Sequence, residues 1–414
     1  APYPTKVYPY HDDRNIICLF SLAACPYNAG AKLAYNNWLR LFFQNYKTMW
    51  GGDLRIGTGR EVNEIARLRS GLDAALAAAK ADQGRTDRDI SLYVGIPFCP
   101  TRCAYCSFVS QSVERTLGLV EPYLEVLHRE ITDAARMVQE TGLHIKSFYM
   151  GGGTPTTLST DQMDRLLTKL EERFDYSHLR EFTVEAGRPD SITRDKLQVL
   201  LDHGITRISI NPQTLEDHVL RAIGRKHAAG DIRAANDLAR PVGFDCINMA
   251  RTAGLPQDSC EGFRRSLEGV LEMEPENVTI HTLALKKGST LMERGGSLPS
   301  GAEVAEMLDF SREILIRRGY RPYYLYRQKY MSGALENVGW AKPGTENLYN
   351  IIMMEELQTV VSVGGGGVTK LVDYAAGRIV RLPNPKYPHD YLTSLEKVLA
   401  QKEELIRFYG SELP

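Results

Sequence analysis

The sequence predicts an α/β protein whose parallel sheet closes toward a barrel, flanked by an N-terminal extension and a C-terminal accessory α+β/helical domain. Three observations carry that prediction. From Leu92 onward, short apolar runs alternate with longer segments of helical period, the pattern of repeated strand and helix units. The chain has 414 residues, more than one core fills, since single cores stop growing near ~250 to 300 residues. The residues with chemical character fall just after the apolar runs, where such barrels carry their function.

Taken in order, strands are expected at 92–96, 147–150, 182–186, 207–211, 245–249 and 278–285, with helices at 120–140, 160–174, 193–203, 260–273 and 302–319. That is about six β/α units, and right-handed crossovers between parallel strands carry them toward a partial (β/α)6 barrel over residues 89–320. Residues 1–88 form an extension with an Ala-rich helix at 61–81 and no chemical motif. Residues 321–414 hold a tyrosine-dense strand at 321–330, a glycine run at 364–367 and a final helix at 391–409. They are read as the accessory domain.

Composition narrows the class. Hydrophobic content of 43% and charged content of 24% are ordinary for a globular chain. A formal net charge of -1 gives no overall reason to expect nucleic acid as a partner. The apolar stretch at 16–25 is far short of the ~20 residues a spanning helix needs, so no membrane span is expected. No Met opens the sequence and no leader precedes Ala1, so neither a signal peptide nor an intact start is read from it. Seven cysteines is an odd number, and three crowd into eight residues, which reads as metal ligation in a reducing, cytoplasmic setting.

Those three are Cys99, Cys103 and Cys106, in YVGIPFCPTRCAYCSF, where one strand runs straight into a C-x-x-x-C-x-x-C loop. Three thiolates in one tight loop can occupy three corners of a cubane cluster and leave one iron without a protein ligand. The competing reading is a zinc knuckle completed by a distant His, but such sites favour paired C-x-x-C units and no fourth ligand is close in sequence. One strand later, Gly151-Gly152-Gly153-Thr154 lacks side chains that would keep a ligand from the backbone, although a loop needing positive φ would read the same. Glu185, in VEAGRPD, can accept hydrogen bonds from an amine or a ribose. Arg225 offers bidentate geometry for a carboxylate. Cys18, Cys25, Cys246 and Cys260 are expected to be buried small hydrophobes.

The cysteine spacing and its setting resemble the radical S-adenosylmethionine (SAM) superfamily. That resemblance implies a [4Fe-4S] cluster on Cys99, Cys103 and Cys106, SAM chelated to the open iron, and an oxygen-sensitive site producing a 5'-deoxyadenosyl radical. The order IPFC, C-x-Y-C-x-F, GGGTPT, Glu185, Gln213, IGRKH and AGLP resembles the oxygen-independent coproporphyrinogen III oxidase family over roughly residues 90 to 380. Within it, VTIHTLALKKGSTL, YYLYRQKY and ENVGWAKPGTENLYN look like the HemZ-type branch. The resemblance implies SAM contacts at Tyr93, Tyr105, Gly152, Gly153, Thr154, Glu185, Gln213, Arg225 and Ala284. It also implies decarboxylation of the propionates of coproporphyrinogen III to vinyl groups, and an electron donor such as flavodoxin or ferredoxin. Arg321, Tyr323, Tyr324, Tyr326, Arg327 and Lys329 are available to a tetracarboxylate, although most tyrosines in such a strand are expected to pack.

The chain departs from that pattern in three places. Phe108 stands where the decarboxylases carry a further cysteine. Ala250 stands where an aspartate contacts SAM, which predicts weaker SAM binding unless Asn248 or Asp245 substitutes. The H-N-x-x-Y-W signature of the related haem chaperones is replaced by Tyr349-Asn350-Ile351-Ile352-Met353-Met354. A haem-delivery protein, with His218, His227 or His281 as ligand, therefore ranks below the decarboxylase, beside radical methylation or ring opening of a tetrapyrrole.

Overall fold

The computed structural model describes residues 60–106, 111–285, 289–294, 297–327, 331–332, 335–373 and 376–410, with 60–69 and 293–294 in backbone only. Most of the N-terminal extension, Cys18, Cys25, Phe108 and Lys329 lie outside the described residues.

Eleven strands form one sheet: β1 (Asp89–Ile96), β4 (His144–Gly152), β5 (Glu181–Gly187), β6 (Arg207–Gln213), β7 (Cys246–Ala253), β8 (Asn277–Thr282), β9 (Arg321–Tyr326), β10 (Asn337–Ala341), β11 (Thr359–Val363), β12 (Val368–Asp373) and β13 (Arg378–Pro383). A separate two-stranded piece pairs β2 (Phe98–Cys99) with β3 (Gln111–Ser112). The order in the large sheet is β13-β12-β11-β1-β4-β5-β6-β7-β8-β10-β9. The six expected parallel strands stand side by side, and β11 adds a seventh by pairing in parallel with β1, Ile90 opposite Thr359. The segment after residue 320 thus lengthens the sheet at both edges, β10 and β9 beyond β8 and β11 to β13 beyond β1, instead of building a sheet of its own.

Helices follow the signals that end them. The helix Val120–Glu140 has the expected bounds. Ser159 and Gln162, and Ser300 and Glu303, form capping boxes that satisfy the first amides of Thr160–Arg173 and Gly301–Arg317. The expected final helix is instead three, Pro388–Thr393, Leu395–Lys402 and Glu404–Gly410. Its apolar stripe runs on through the breaks, which is why the sequence reads as one helix. The turn at Glu403 follows Lys402, which is buried, with Nζ 2.9 Å from Glu130 Oε1 and donating to Ser362 O at 2.6 Å. Glu130 also accepts from the Gly364 amide at 2.7 Å and Asn384 Nδ2 at 2.8 Å, so this buried charge is fully paired.

The two faces of the sheet differ in chemistry. Ile90, Leu92, Val94, Phe148, Met150, Val184, Ile208, Ile210, Ile247 and Met249 belong to the core under the outer helices. Their neighbours in the opposite phase are Ser91, Tyr93, Ser147, Tyr149, Thr183, Glu185, Ser209, Asn248 and Thr252, which turn to the inner face. Parallel strands covered on both faces usually read as continuous apolar runs; here the inner face is polar. The helix Leu348–Glu355 and the Ala-rich helix Arg60–Ala81 close its lower end, in a cluster joining Ala78, Tyr323, Tyr324, Tyr349, Ile352 and Val360. Strands from opposite ends of the sheet meet on these helices, so the sheet curves around them.

Candidate functional site

The cysteine loop leaves the C-terminal end of β1 and is tied down by loops from three other units. The Ala104 amide donates to Ile223 O at 2.9 Å and Thr101 Oγ1 to Gly224 O at 3.2 Å, both beyond β6. Arg188, beyond β5, donates to Thr101 O at 2.9 Å and Thr101 Oγ1 at 2.6 Å while pairing with Asp190. The Leu291 amide reaches Ala104 O at 2.9 Å. Cys99, Cys103 and Cys106 are each half-buried, and the Cys106 amide donates to Cys103 O at 3.0 Å.

The glycine loop follows β4 and presses on this segment. The Gly153 amide donates to Ile96 O at 2.8 Å and the Thr154 amide to Phe98 O at 2.7 Å, while Thr154 Oγ1 donates to Cys99 Sγ at 3.4 Å. A Cβ on Gly153 would stand 2.5 Å from Phe98 O, and Gly152 has φ of 108°. The glycines are therefore required by close approach of the cysteine loop and by positive φ together. Glu185 lies alongside, accepting from Tyr149 Oη at 2.5 Å. Burial raises its pKa above the ordinary carboxylate value, against the pull of the Tyr149 hydroxyl and the Gly152 amide. The Tyr93, Tyr149 and Tyr349 rings stack, with Tyr149 and Tyr349 centroids 4.5 Å apart.

Gln213 ends β6 with φ of 65°, a strained value for a residue other than glycine. It is held there by Thr252 Oγ1, which donates to Gln213 Oε1 at 2.5 Å, and by Arg251 Nη1, which donates to Gln213 O at 2.5 Å. Arg225 is buried and donates to Asn211 O at 2.7 Å. Burial opposes its charge, but Cys103 and Tyr105 beside it more than offset that and hold its pKa above the ordinary value. Ala284 follows β8 and bridges to Met331. Tyr93, Glu185, Gln213, Thr252 and His281 thus form the upper layer of the inner face, with the cysteine and glycine loops at its rim. Tyr149 and Thr252 were not among the expected contacts, and His281 was named only as a haem ligand of the alternative reading; each occupies the inward phase of its strand, which is the signal that marks them.

Other expectations resolve one by one. Ala250 is buried on the inner face opposite Thr279. Asn248 is occupied on both sides, by Ser209 at 3.0 Å and Thr279 at 3.1 Å, and Asp245 is exposed before the start of β7, so neither replaces a carboxylate at 250. Tyr323 and Tyr324 are buried packing residues, Tyr326 and Arg327 are half-buried and Arg321 is exposed. His218 is exposed and meets Gln257 O at 3.1 Å; His227 is buried 3.7 Å from Asp190. Cys246 is buried as expected, with burial pushing its thiol up to about 12, whereas Cys260 is only half-buried. No helix among the described residues is long and apolar enough to cross a membrane.

Among the described residues no three His, Cys, Asp or Glu side chains gather into a site for a single metal ion. The donor set does suit a thiolate-bound cluster: three thiols share one loop, the Thr154 hydroxyl donates to one, and the Arg225 guanidinium stands beside another. A cysteine loop at the rim of a partial barrel with a polar interior defines a radical SAM domain, and the Radical SAM superfamily model matches residues 93–268. Such a domain uses a [4Fe-4S] cluster and SAM. The chain is 40% identical to the oxygen-independent coproporphyrinogen-III oxidase-like protein HemZ of Bacillus subtilis, over 82% of this chain and 68% of that protein. It is 29% identical to the heme chaperone HemW of Lactococcus lactis over 76% of this chain and 79% of that one. It is 31% identical to the oxygen-independent coproporphyrinogen III oxidase of Salmonella typhimurium over 60% of this chain and 54% of that protein. Coproporphyrinogen III oxidase (HemN) from Escherichia coli shares the fold, with a TM-score of 0.62 and 24% identity over 78% of this chain and 72% of that one. The chain belongs to the oxygen-independent coproporphyrinogen III oxidase-like family of radical SAM proteins, in its HemZ-type branch.

Proposed function

We propose that the protein is an enzyme that decarboxylates the propionate side chains of coproporphyrinogen III to vinyl groups. The observation that carries this reading is the polar upper layer of the inner face, walled by stacked tyrosines and rimmed by the cysteine loop. In this reading Cys99, Cys103 and Cys106 hold the cluster, and Tyr93, Tyr105, Gly152, Gly153, Thr154, Glu185, Gln213, Arg225 and Ala284 surround SAM. When bound, cluster and SAM supply a one-electron cleavage whose organic radical takes a hydrogen atom from the propionate β-carbon. The substrate radical then releases CO2 and one electron to a one-electron acceptor, leaving the vinyl group.

The chain's own residues orient and enclose. Arg225, held by Asn211 O, keeps a positive charge beside the thiols. Glu185 and Gln213 present a carboxylate and an amide to the interior, and the tyrosine stack excludes water from a reactive intermediate. Arg327, half-buried just beyond the C-terminal end of β9, is the arginine assigned to a propionate carboxylate in this reading, whereas Arg321 lies at the other end of that strand, opposite Ala341 and level with Asn277. The electron donor in this reading is a flavodoxin or ferredoxin, in a cytoplasmic setting. Residues 1–88, 89–320 and 321–414 are its extension, catalytic barrel and accessory segment.

The likeness to heme chaperones at 29% and 30% identity supports a second reading, haem binding without decarboxylation. Anaerobic incubation of the cluster-loaded protein with SAM, a strong reductant and coproporphyrinogen III separates the two. We expect 5'-deoxyadenosine together with tetrapyrrole that has lost two CO2 units. Deoxyadenosine with intact tetrapyrrole would discard this substrate, and stoichiometric haem binding with neither product would favour the chaperone.

A further inference from the structure

His281 is a member of the upper inner layer to whose ring no described residue makes a hydrogen bond. The register fixes where it points. It pairs with Thr252 of β7 and shares the phase of Asn277 and Thr279, whereas Val278 and Ile280 pack outward with Phe263, Leu267 and Val304. Thr252 gives its hydroxyl to Gln213. On the other side, Asn337 uses its side-chain carbonyl to accept the Thr282 amide at 2.6 Å. Ala250, one residue pair below Thr252, contributes only a methyl group. The imidazole therefore stands half-buried between two neighbours already engaged elsewhere, and no described residue hydrogen bonds to either of its nitrogens.

Such a ring carries one N–H donor and one lone-pair acceptor. Burial lowers its pKa to about 4, so at neutral pH it is uncharged. An uncharged imidazole does not select a carboxylate; it matches a neutral hydroxyl or N–H. We propose that His281 is a ligand-positioning residue that holds a neutral hydroxyl or N–H of the molecule occupying the barrel interior. Given the function proposed above, on which this inference rests, the source is a ribose hydroxyl of SAM or a pyrrole N–H of the tetrapyrrole.

The test uses cluster-loaded protein and two binding measurements that need no turnover. SAM affinity is measured by anaerobic calorimetry, and coproporphyrinogen III affinity by fluorescence quenching with SAM present. Both are done for wild type, His281→Leu and His281→Asn, with iron content and a thermal melt to establish that each variant is folded and loaded. His281→Leu should weaken one ligand by about 3- to 10-fold, the size of one net hydrogen bond, and His281→Asn, which keeps a donor and an acceptor, should restore part of it. A loss confined to SAM assigns the ribose, and a loss confined to the tetrapyrrole assigns the pyrrole. Unchanged affinities in a folded His281→Leu protein overturn the assignment, and if leucine does not fold, unchanged affinities in His281→Ala do so. Wild-type protein that binds neither ligand refutes the proposed function first, and the role of His281 with it.

Discussion

The inner face of the sheet treats polar side chains differently at its two ends. At the N-terminal ends of β5, β6 and β8 they pair densely with one another, although Arg207 Nε, 3.5 Å from Glu181 Oε2, makes an ion-pair contact and no hydrogen bond. Arg207 donates to Asn277 Oδ1 at 2.5 Å and Thr345 O at 2.8 Å, Asn277 donates to Thr345 Oγ1 at 3.0 Å, and Glu181 accepts the Leu348 and Tyr349 amides at 2.7 and 3.0 Å. At the C-terminal ends some groups pair, Tyr149 with Glu185 and Thr252 with Gln213, but capacity is left over: no described residue receives a hydrogen bond from the Gln213 amide nitrogen or the His281 ring. A closed buried network fixes a structure, since each polar group removed from water has found a partner. An open one leaves hydrogen-bonding capacity for a ligand. Strands that look alike in sequence thus hold the curvature at one end and leave open polar groups at the other.

The comparison predicts its largest effect in the lower layer. Arg207→Met leaves the Glu181 carboxylate, 3.5 Å from the guanidinium, without its cation, and breaking a buried pair in this way costs about 3 to 5 kcal/mol. Denaturant titration should show that loss, while SAM affinity of the protein that remains folded stays at the wild-type value. Unchanged stability with weakened SAM binding would place ligand contacts at the lower end and dissolve the distinction between the layers.

A smaller effect, opposite for ligand and fold, is expected in the upper layer. Ala250→Asp introduces a carboxylate on the inner face where Asn248 and Asp245 cannot supply one. Without ligand it should destabilise the fold, because burial disfavours the charged form. With SAM it should add a charged hydrogen bond, ~1.5 to 3 kcal/mol, or roughly ten-fold or more in affinity. Calorimetry of both proteins decides; equal affinities would make Ala250 a packing residue and nothing more.

Much of this arrangement was legible in the sequence. The six parallel strands, most helix bounds and the cysteine loop follow from apolar periodicity and from spacing. The polar phase was harder to see, because Leu92, Val94, Phe148, Met150, Val184, Ile208 and Ile210 are dense enough to read as apolar runs, with Tyr93, Tyr149 and Ser209 passing as packing between them. The pairing of β11 with β1 was not legible, since it joins residues 90 and 359 and no local pattern reports so distant a partner. Nor were the turns at Ser394 and Glu403, since the apolar stripe continues across them. His281 was visible as a histidine in a strand, but its phase becomes informative only once Val278 and Ile280 are seen to face outward.

On the outer helices a third polar cluster is closed, exposed and titratable, which sharpens what closure alone contributes. His203 follows the helix Arg194–Asp202 and sits between two carboxylates of the helix Thr160–Arg173, Nδ1 2.8 Å from Glu171 Oε1 and Nε2 3.0 Å from Asp164 Oδ1. Partial burial acts to lower its pKa, yet the two carboxylates prevail and raise it. A histidine whose folded pKa lies above its unfolded value of about 6.5 stabilises fully below that value, and the contribution fades as pH rises through the folded pKa. Because Asp164 and Glu171 are substantially exposed, solvent screening limits the clip to ~1 kcal/mol or less. His203→Gln should therefore cost its full amount near pH 5.5 and almost nothing near pH 9, as read from melts in low salt. A cost that is the same at both pH values would mean that the ring acts by packing or neutral hydrogen bonds, and that closure on this surface, unlike the closure around Arg207, owes nothing to charge.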